Sequence, residues 1–228
     1  MNPKLSVVIP TLNAARALPA CLAAFSRWPN AEILVSDGGS TDGSTEVATQ
    51  SGARIVSGAP GRGAQLARGA AAAGGDWLLF LHADTVLDRN GMRAAETFMA
   101  EPSNATRAAY FRFALDDADP RARRIERLAA WRCRALALPY GDQGLLIARA
   151  FYDSLGGYRK LPLMEDVDLV RRIGRMRLAG LDAVAATSAA RYRRDGWILR
   201  PLRNLLCLSL YFAGLPPKAL VPLYAGRR

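Results

Sequence analysis

His82 and Asp84 stand two residues apart at the end of an apolar run, WLLFL, at positions 77–81. His82 is the only histidine among 228 residues. A carboxylate delivered to a strand end suits a hard divalent cation. Such ions are commonly held by one or two protein carboxylates together with substrate phosphates and water. Asp84 and Thr85 could equally begin a plain turn. A second acidic group lies in LMEDVDL, residues 163–169, where Glu165, Asp166 and Asp168 fall within four positions at a helix start. The macrodipole favours acids there and accounts for them without any chemistry. A carboxylate facing a cleft is also a general base able to take a proton from an attacking hydroxyl.

Two glycine-rich stretches accompany these acids. SDGGSTDGS, residues 36–44, offers Asp37 and Asp42 either as acceptors for a nucleotide or as caps for a helix at Ser44. It is not a calcium-binding EF-hand loop, since Gly39 holds the third position, where an acid or amide ligand belongs, and no glutamate sits at the twelfth. GAPGRGAQ, residues 58–65, has the glycine spacing of a phosphate loop, but Ala64-Gln65 replaces the required Lys-Ser/Thr. Arg62 in this loop could still meet a diphosphate through its guanidinium fork, or simply sit in solvent.

These residues need a scaffold, and the apolar pattern describes one. LSVVIP (5–10), EILVS (32–36), residues 53–57 and residues 77–81 read as short buried strands. Helices are expected between them over 14–28 with Asn13 as cap, over 44–51, and after the 58–63 loop to about 73. Such alternation predicts an α/β chain with a mostly parallel sheet covered on both faces. Ligands of such sheets bind outside the carboxyl ends of the strands. PTLN, SDGGSTDGS, SGAPGRG and HADT all fall at those ends. The second half is less regular: strands over 108–114, 144–148 and 183–187, helices over 120–138, 167–178 and 200–213, then a leucine-rich tail. No repeat or linker divides it, so one domain over 1–228 is expected.

The composition narrows the classes. Half the residues are hydrophobic, and no apolar stretch reaches the roughly 20 residues of a membrane-spanning helix. Residues 1–4 are too short for a signal peptide. Cys21, Cys133 and Cys207 are odd in number and far apart, which points to a reducing, cytoplasmic setting. The formal charge of +11 suits an anionic partner, although a chain with only three lysines and many arginines also reflects compositional bias. Nucleic-acid motifs are absent. The Arg-rich helix of 120–139 and the leucine-rich 205–224 are compatible with peripheral contact on an anionic membrane face, or with packing on the sheet or a second subunit in a homodimer.

Taken in order, SVVIPTLN (6–13), ILVSDGGSTDGS (33–44), DWLLFLHADT (76–85), GDQGLLIARAFYDSLGGY (141–158) and LMEDVDLVRRI (163–173) resemble the family 2 glycosyltransferases of the GT-A fold. FLHADT, GDQG and MEDVDL are similar to the bacterial arsenosugar-biosynthesis or selenodomain-associated subgroup. The resemblance implies a nucleotide-sugar half over 1–100, an acceptor and catalytic half over 101–195 and a helical tail over 196–228. It implies that Pro10, Thr11 and Asn13 lie against the nucleotide, with Asp37 beside the base. Gly38 stands where many relatives carry a second acid. His82-Ala83-Asp84 takes the place of the family's Asp-x-Asp, so Asp84 would hold Mn²⁺ or Mg²⁺ and His82 would face the ribose. Asp166 matches the usual catalytic base of inverting members, supported by Glu165. Gly141, Asp142 and Gln143 would line the acceptor side. Arg191, Arg193 and Arg194 would approach the diphosphate.

The implied activity is transfer of a sugar, from a uridine diphosphate donor first of all, to a hydroxyl on a small or lipid-linked acceptor, at the cytoplasmic side of a membrane. Two rival readings are a sugar nucleotidyltransferase and a non-catalytic nucleotide- or sugar-binding protein. The first lacks its basic glycine-rich loop in PTLNAARAL. The second draws on Gly38 and His82 but sits poorly with the Glu-Asp pair.

Overall fold

A computed structural model describes residues 4–26, 28 and 30–225. Residues 1–3 and position 27 of the first expected helix lie outside these. The chain opens with β1 (Leu5–Thr11), α1 (Leu18–Phe25), β2 (Ala31–Asp37), α2 (Ser44–Gln50), β3 (Arg54–Ser57), α3 (Arg62–Ala72) and β4 (Trp77–Phe80). It continues with β5 (Thr85–Leu87), α4 (Arg89–Ala100), β6 (Ala108–Asp116), α5 (Pro120–Leu136), β7 (Leu145–Ala148) and α6 (Arg149–Ser154). Last come α7 (Glu165–Ile173), β8 (Leu178–Ser188), α8 (Ala190–Asp195), α9 (Leu199–Phe212) and α10 (Pro217–Ala225).

The eight strands form one sheet in the order β3-β2-β1-β4-β7-β6-β8-β5. The first four are mutually parallel. β7 runs antiparallel to both β4 and β6, and β5 runs antiparallel to β8. The sheet therefore has the expected parallel half and a mixed half. Val7, Val8, Leu78 and Leu79 are fully buried, as strands covered on both faces require. α3 crosses β1 and β2 closely enough that a Cβ on Gly69 would collide with Val8 Cγ1. The glycine is what lets that helix lie against the strand.

Several local expectations change. Asn13 does not cap α1, which begins five residues later with Ala17 as an uncapped start. Asn13 has φ +50°, and its Oδ1 accepts from the Thr41 amide at 2.9 Å. It ties the loop after β1 to the loop after β2. The helix expected over 167–178 ends at Ile173, because Gly174 takes φ +81° and breaks it. The last strand is correspondingly longer than expected. The leucine-rich tail is helical, as α9 and α10, and packs its own small core with Leu163, Val167 and Val170 of the α7 region. No helix among the described residues is long and apolar enough to cross a membrane.

Candidate active site

β4 ends in a tight turn rather than a loop. The Thr85 amide donates to the His82 carbonyl at 3.1 Å, closing a four-residue turn with Asp84 in its third position. β8 holds this turn from the side. The Ser188 amide donates to the Asp84 carbonyl at 3.1 Å, and the Thr85 and Thr187 hydroxyls meet at 2.8 Å. Thr187 Oγ1 also donates to the Asp142 carbonyl at 3.1 Å. One threonine pair thus links three chain segments: the HADT turn, the end of β8 and the GDQ turn.

α7 delivers the second acid. Met164, just before it, has φ +63°, a left-handed conformation rare for a side chain of this kind. This sharp entry puts Glu165 and Asp166 at the first turn. Asp166 Oδ1 accepts from the Val167 amide at 2.7 Å and Oδ2 accepts from the Gly141 amide at 2.9 Å. Both oxygens are thereby oriented while one side of the carboxylate faces the cavity. A Cβ on Gly141 would lie 2.7 Å from His82 Nε2, so the glycine keeps the space between the imidazole and Asp166.

His82, Asp84, Gly141, Asp142 and Asp166 line one cavity of about 90 Å³. Asp84 approaches Arg191, whose Nη2 lies 4.0 Å from Oδ2. Glu165, with 2% of its side chain exposed, lies 3.7 Å from the Nε of Arg62. Burial and the neighbouring Asp166 charge push the Glu165 carboxyl up to about 7, against the pull of Arg62. Burial likewise raises Asp142 to about 6, with Arg132 opposing. His82 is pushed well below the usual imidazole range by burial and by Arg62 and Arg191, so it is neutral at physiological pH.

A wider cleft of about 500 Å³ opens from this cavity and shares Arg62, His82, Asp84, Glu165, Arg191 and Tyr224 with it. Its volume is in the range of small-molecule sites. Pro10 and Asn13 line the cleft together with Arg16 and Gln65. Gln65 Nε2 donates to the Thr11 and Ser36 carbonyls, and a Cβ on Gly38 would come within 3.0 Å of this amide.

Other expected residues are turned elsewhere. Thr11 is buried within its strand, and its hydroxyl donates to the Ile9 carbonyl. Asp37 is buried and accepts from the Gly39 and Ser40 amides and the Ser40 hydroxyl, folding its carboxylate into its own loop. Asp42 ties Ala15 to Ser44. Asp168 is paired with Arg159 and Arg172 and braces α7 from behind. Gln143 is corrected from a lining residue to a brace. Its Oε1 accepts from Arg132 and its Nε2 donates to the Phe111 carbonyl. Arg193 and Arg194 are corrected as well, because they pair with Asp117 and Asp195 outside the cavity. Of the three arginines expected near the diphosphate, Arg191 alone lines the cleft.

Tyr140, Tyr192, Asn204 and Tyr224 are cavity residues that sequence reasoning missed. Tyr192 sits among the arginines of the 190–195 stretch and could have been noticed there. Asn204 and Tyr224 carry no local signal, since α9 and α10 reach the site only by packing. Arg200, buried among them, lies over the Tyr224 ring at 4.3 Å and pairs with Asp195 at 3.3 Å.

Comparison with known proteins agrees with this architecture. Residues 6–153 match the family described as Glycosyl transferase family 2. A PGL/p-HBAD biosynthesis glycosyltransferase of Mycobacterium tuberculosis is 39% identical over 94 residues. That match spans 37% of this chain and 37% of the relative, so well under two thirds of the relative's length is represented. Glucosyl-3-phosphoglycerate synthase of Mycobacterium tuberculosis, solved with Mn²⁺, uridine diphosphate and glucosyl-3-phosphoglycerate, superposes with a TM-score of 0.56 at 21% identity, covering 82% of this chain and 70% of that one. Staphylococcus aureus TarS superposes with a TM-score of 0.64 at 14% identity, covering 95% of this chain and 41% of that one. At these identities the two structures speak for the fold alone. With the family match over most of the sheet, the chain belongs to glycosyl transferase family 2, and it shares the GT-A fold with these structures.

Proposed function

We propose that the chain moves a sugar from a uridine diphosphate donor to a hydroxyl acceptor, with inversion at the anomeric carbon. The observation that supports this most is the pairing of Asp84 and Asp166 across one cavity that opens into a 500 Å³ cleft. In this reading the cleft receives the nucleotide, along Pro10, Asn13 and Arg16. Arg62 and Arg191 meet the diphosphate, as guanidinium groups commonly do.

Asp84 has the chemistry of a cation ligand. Its side chain makes no hydrogen bond among the described residues and touches Arg191 only at 4.0 Å, so its lone pairs are free. No cluster of three His, Cys, Asp or Glu side chains occurs among the described residues. The donor set therefore suits a hard cation completed by donor phosphates rather than an all-protein cage. Mn²⁺ or Mg²⁺ held there would offset charge on the departing diphosphate. The Mn²⁺ and uridine diphosphate described for glucosyl-3-phosphoglycerate synthase accord with this reading.

Asp166 is the base. The acceptor hydroxyl gives its proton to an Asp166 oxygen as the hydroxyl oxygen bonds to the anomeric carbon. The bond from that carbon to the diphosphate breaks, and uridine diphosphate leaves. Gly141 and Val167 orient the carboxylate, and neutral His82 borders the reacting centre without adding positive charge. Glu165 supports from behind through Arg62. The first half of the chain then supplies most of the donor side, the second half the acceptor side, and α9 and α10 close the site through Asn204 and Tyr224.

The test is product analysis with uridine diphosphate sugars and Mn²⁺. Released uridine diphosphate supports the reading. Released pyrophosphate would make the enzyme a nucleotidyltransferase, and binding without turnover of any donor would leave a binding protein.

A further inference from the structure

The catalytic cavity has a second mouth. Tyr140, Asp142, Tyr192 and Asn204 line both that cavity and a groove of about 260 Å³ between α5 and α9. The groove is walled by Phe113, Ile125, Leu128, Trp131, Leu202 and Leu205. Leu128, Trp131, Leu202 and Leu205 are 60%, 57%, 56% and 58% exposed. A contiguous apolar surface of this kind marks a place where something apolar binds. Ala122, Ile125, Ala129 and Cys133 form the buried side of α5, and Leu128 and Trp131 stand off it, so the sheet does not account for them.

The neck between groove and cavity has a different character. Asp142 Oδ1 and Asn204 Oδ1 are sealed from solvent and have no hydrogen-bond partner. Buried polar atoms are nearly always paired, and leaving one unpaired is costly. Two orphan acceptor oxygens at one neck call for donors, such as the hydroxyls of a neutral ligand. They do not call for a phosphate or a carboxylate. Bilayer chains and the apolar face of a second copy would cover the rim and offer no donor to these oxygens.

We propose that the acceptor is an amphiphile whose apolar arm, an aryl ring or short alkyl chain, lies in the α5–α9 groove. Its hydroxyl-bearing end passes between Asp142 and Asn204 to reach Asp166. This rests on the transferase reading above for what happens at Asp166, but the groove itself is tested by binding alone.

The probe is a series of 4-alkylphenols with one to eight chain carbons, kept below self-association and titrated by calorimetry. Each methylene that enters the groove should tighten binding about fourfold until the groove is full. Leu205→Asp on α9 and Leu128→Asp on α5 should each abolish that dependence; both positions are exposed, so both variants should fold. A 4-alkylphenol should bind about tenfold more tightly than its alkylbenzene, and Asn204→Leu should erase the difference. Affinity that is flat with chain length, or a dependence that survives both aspartates, overturns the proposal. Pelleting with phosphatidylglycerol vesicles, or dimerisation in sedimentation equilibrium, that is lost in Leu205→Asp while the phenols fail to bind would also overturn it. The groove would then be a membrane or subunit contact. Thermal shift with uridine diphosphate and Mn²⁺ runs in parallel. Its absence beside intact phenol binding would remove the donor reading and leave the groove standing.

Discussion

The Gly141 amide donates to Asp166 Oδ2 across 2.9 Å, joining two segments that lie 25 residues apart in sequence. The bond fixes the proposed base, and the missing side chain of Gly141 leaves room for His82 beside it. Gly141→Ala would place a methyl 2.7 Å from His82 Nε2, within a site too tight to accept it. Overpacking of this kind costs about 1–3 kcal/mol. The expected outcome is a kcat lowered at least about tenfold, with uridine diphosphate affinity changed far less, because Gly141 lines the smaller cavity and not the wider cleft. Steady-state kinetics beside nucleotide titration checks this.

Asp166→Asn keeps the size, can accept from only one of the two amides that meet the carboxylate, and removes the proton acceptor. General-base catalysis commonly contributes about 10²–10⁴-fold. A loss of kcat in that range, with nucleotide binding intact, is expected. Wild-type turnover in this variant would show that another group takes the proton.

Asp84→Ala addresses the cation. A ligand present at about 100 times its dissociation constant stabilises the protein by about 2.7 kcal/mol. For the wild type, uridine diphosphate should raise the unfolding temperature more with Mn²⁺ than without it. The variant should keep only the metal-independent part. An undiminished Mn²⁺ effect in Asp84→Ala would assign the cation to other ligands.

Arg191, Arg193 and Arg194 are close in sequence and differ in environment. Charge-assisted hydrogen bonds are worth about 1.5–3 kcal/mol. Arg191→Met should therefore weaken uridine diphosphate binding by at least about tenfold. Arg193→Met and Arg194→Met, whose side chains face Asp117 and Asp195, should leave it within about twofold. Equal effects at all three positions would mean general charge attraction rather than contact.

Glu165 makes a pH prediction. Its carboxyl is raised from 4.5 to about 7, first by burial and then by Asp166. Between those values the folded protein holds a proton that the unfolded chain has lost. The linkage slope is negative there, so this group's contribution to stability falls as pH rises from about 4.5 to about 7 and is level outside that window. Glu165→Gln should remove this fall, so its stability relative to wild type should increase across the window. Parallel curves for the two proteins in denaturant titrations at pH 4.5 and 7.5 would contradict it.

The sequence by itself determined the parallel half of the sheet and the chemistry at its strand ends. Nearly continuous apolar strands such as LSVVIP read as covered on both faces, and the rule for such sheets puts HADT and its acid at the carboxyl ends of the strands. The MEDVDL acids were legible for the same local reason, since a helix start is marked in sequence. Tertiary structure decided which of the marked residues face the cavity. Asp37 and Asp166 look alike as aspartates at element ends, yet one spends its oxygens on its own loop and the other points across to Gly141. Arg191 and Arg193 are two positions apart, and only the curl of α8 sends one toward Asp84 and the other toward Asp117. Asn204, Tyr224 and the α5–α9 groove had no sequence signal, because they arise where helices distant along the chain pack together. Periodicity reports which side of an element is apolar; it does not report which other element will meet that side or what will be left open between them.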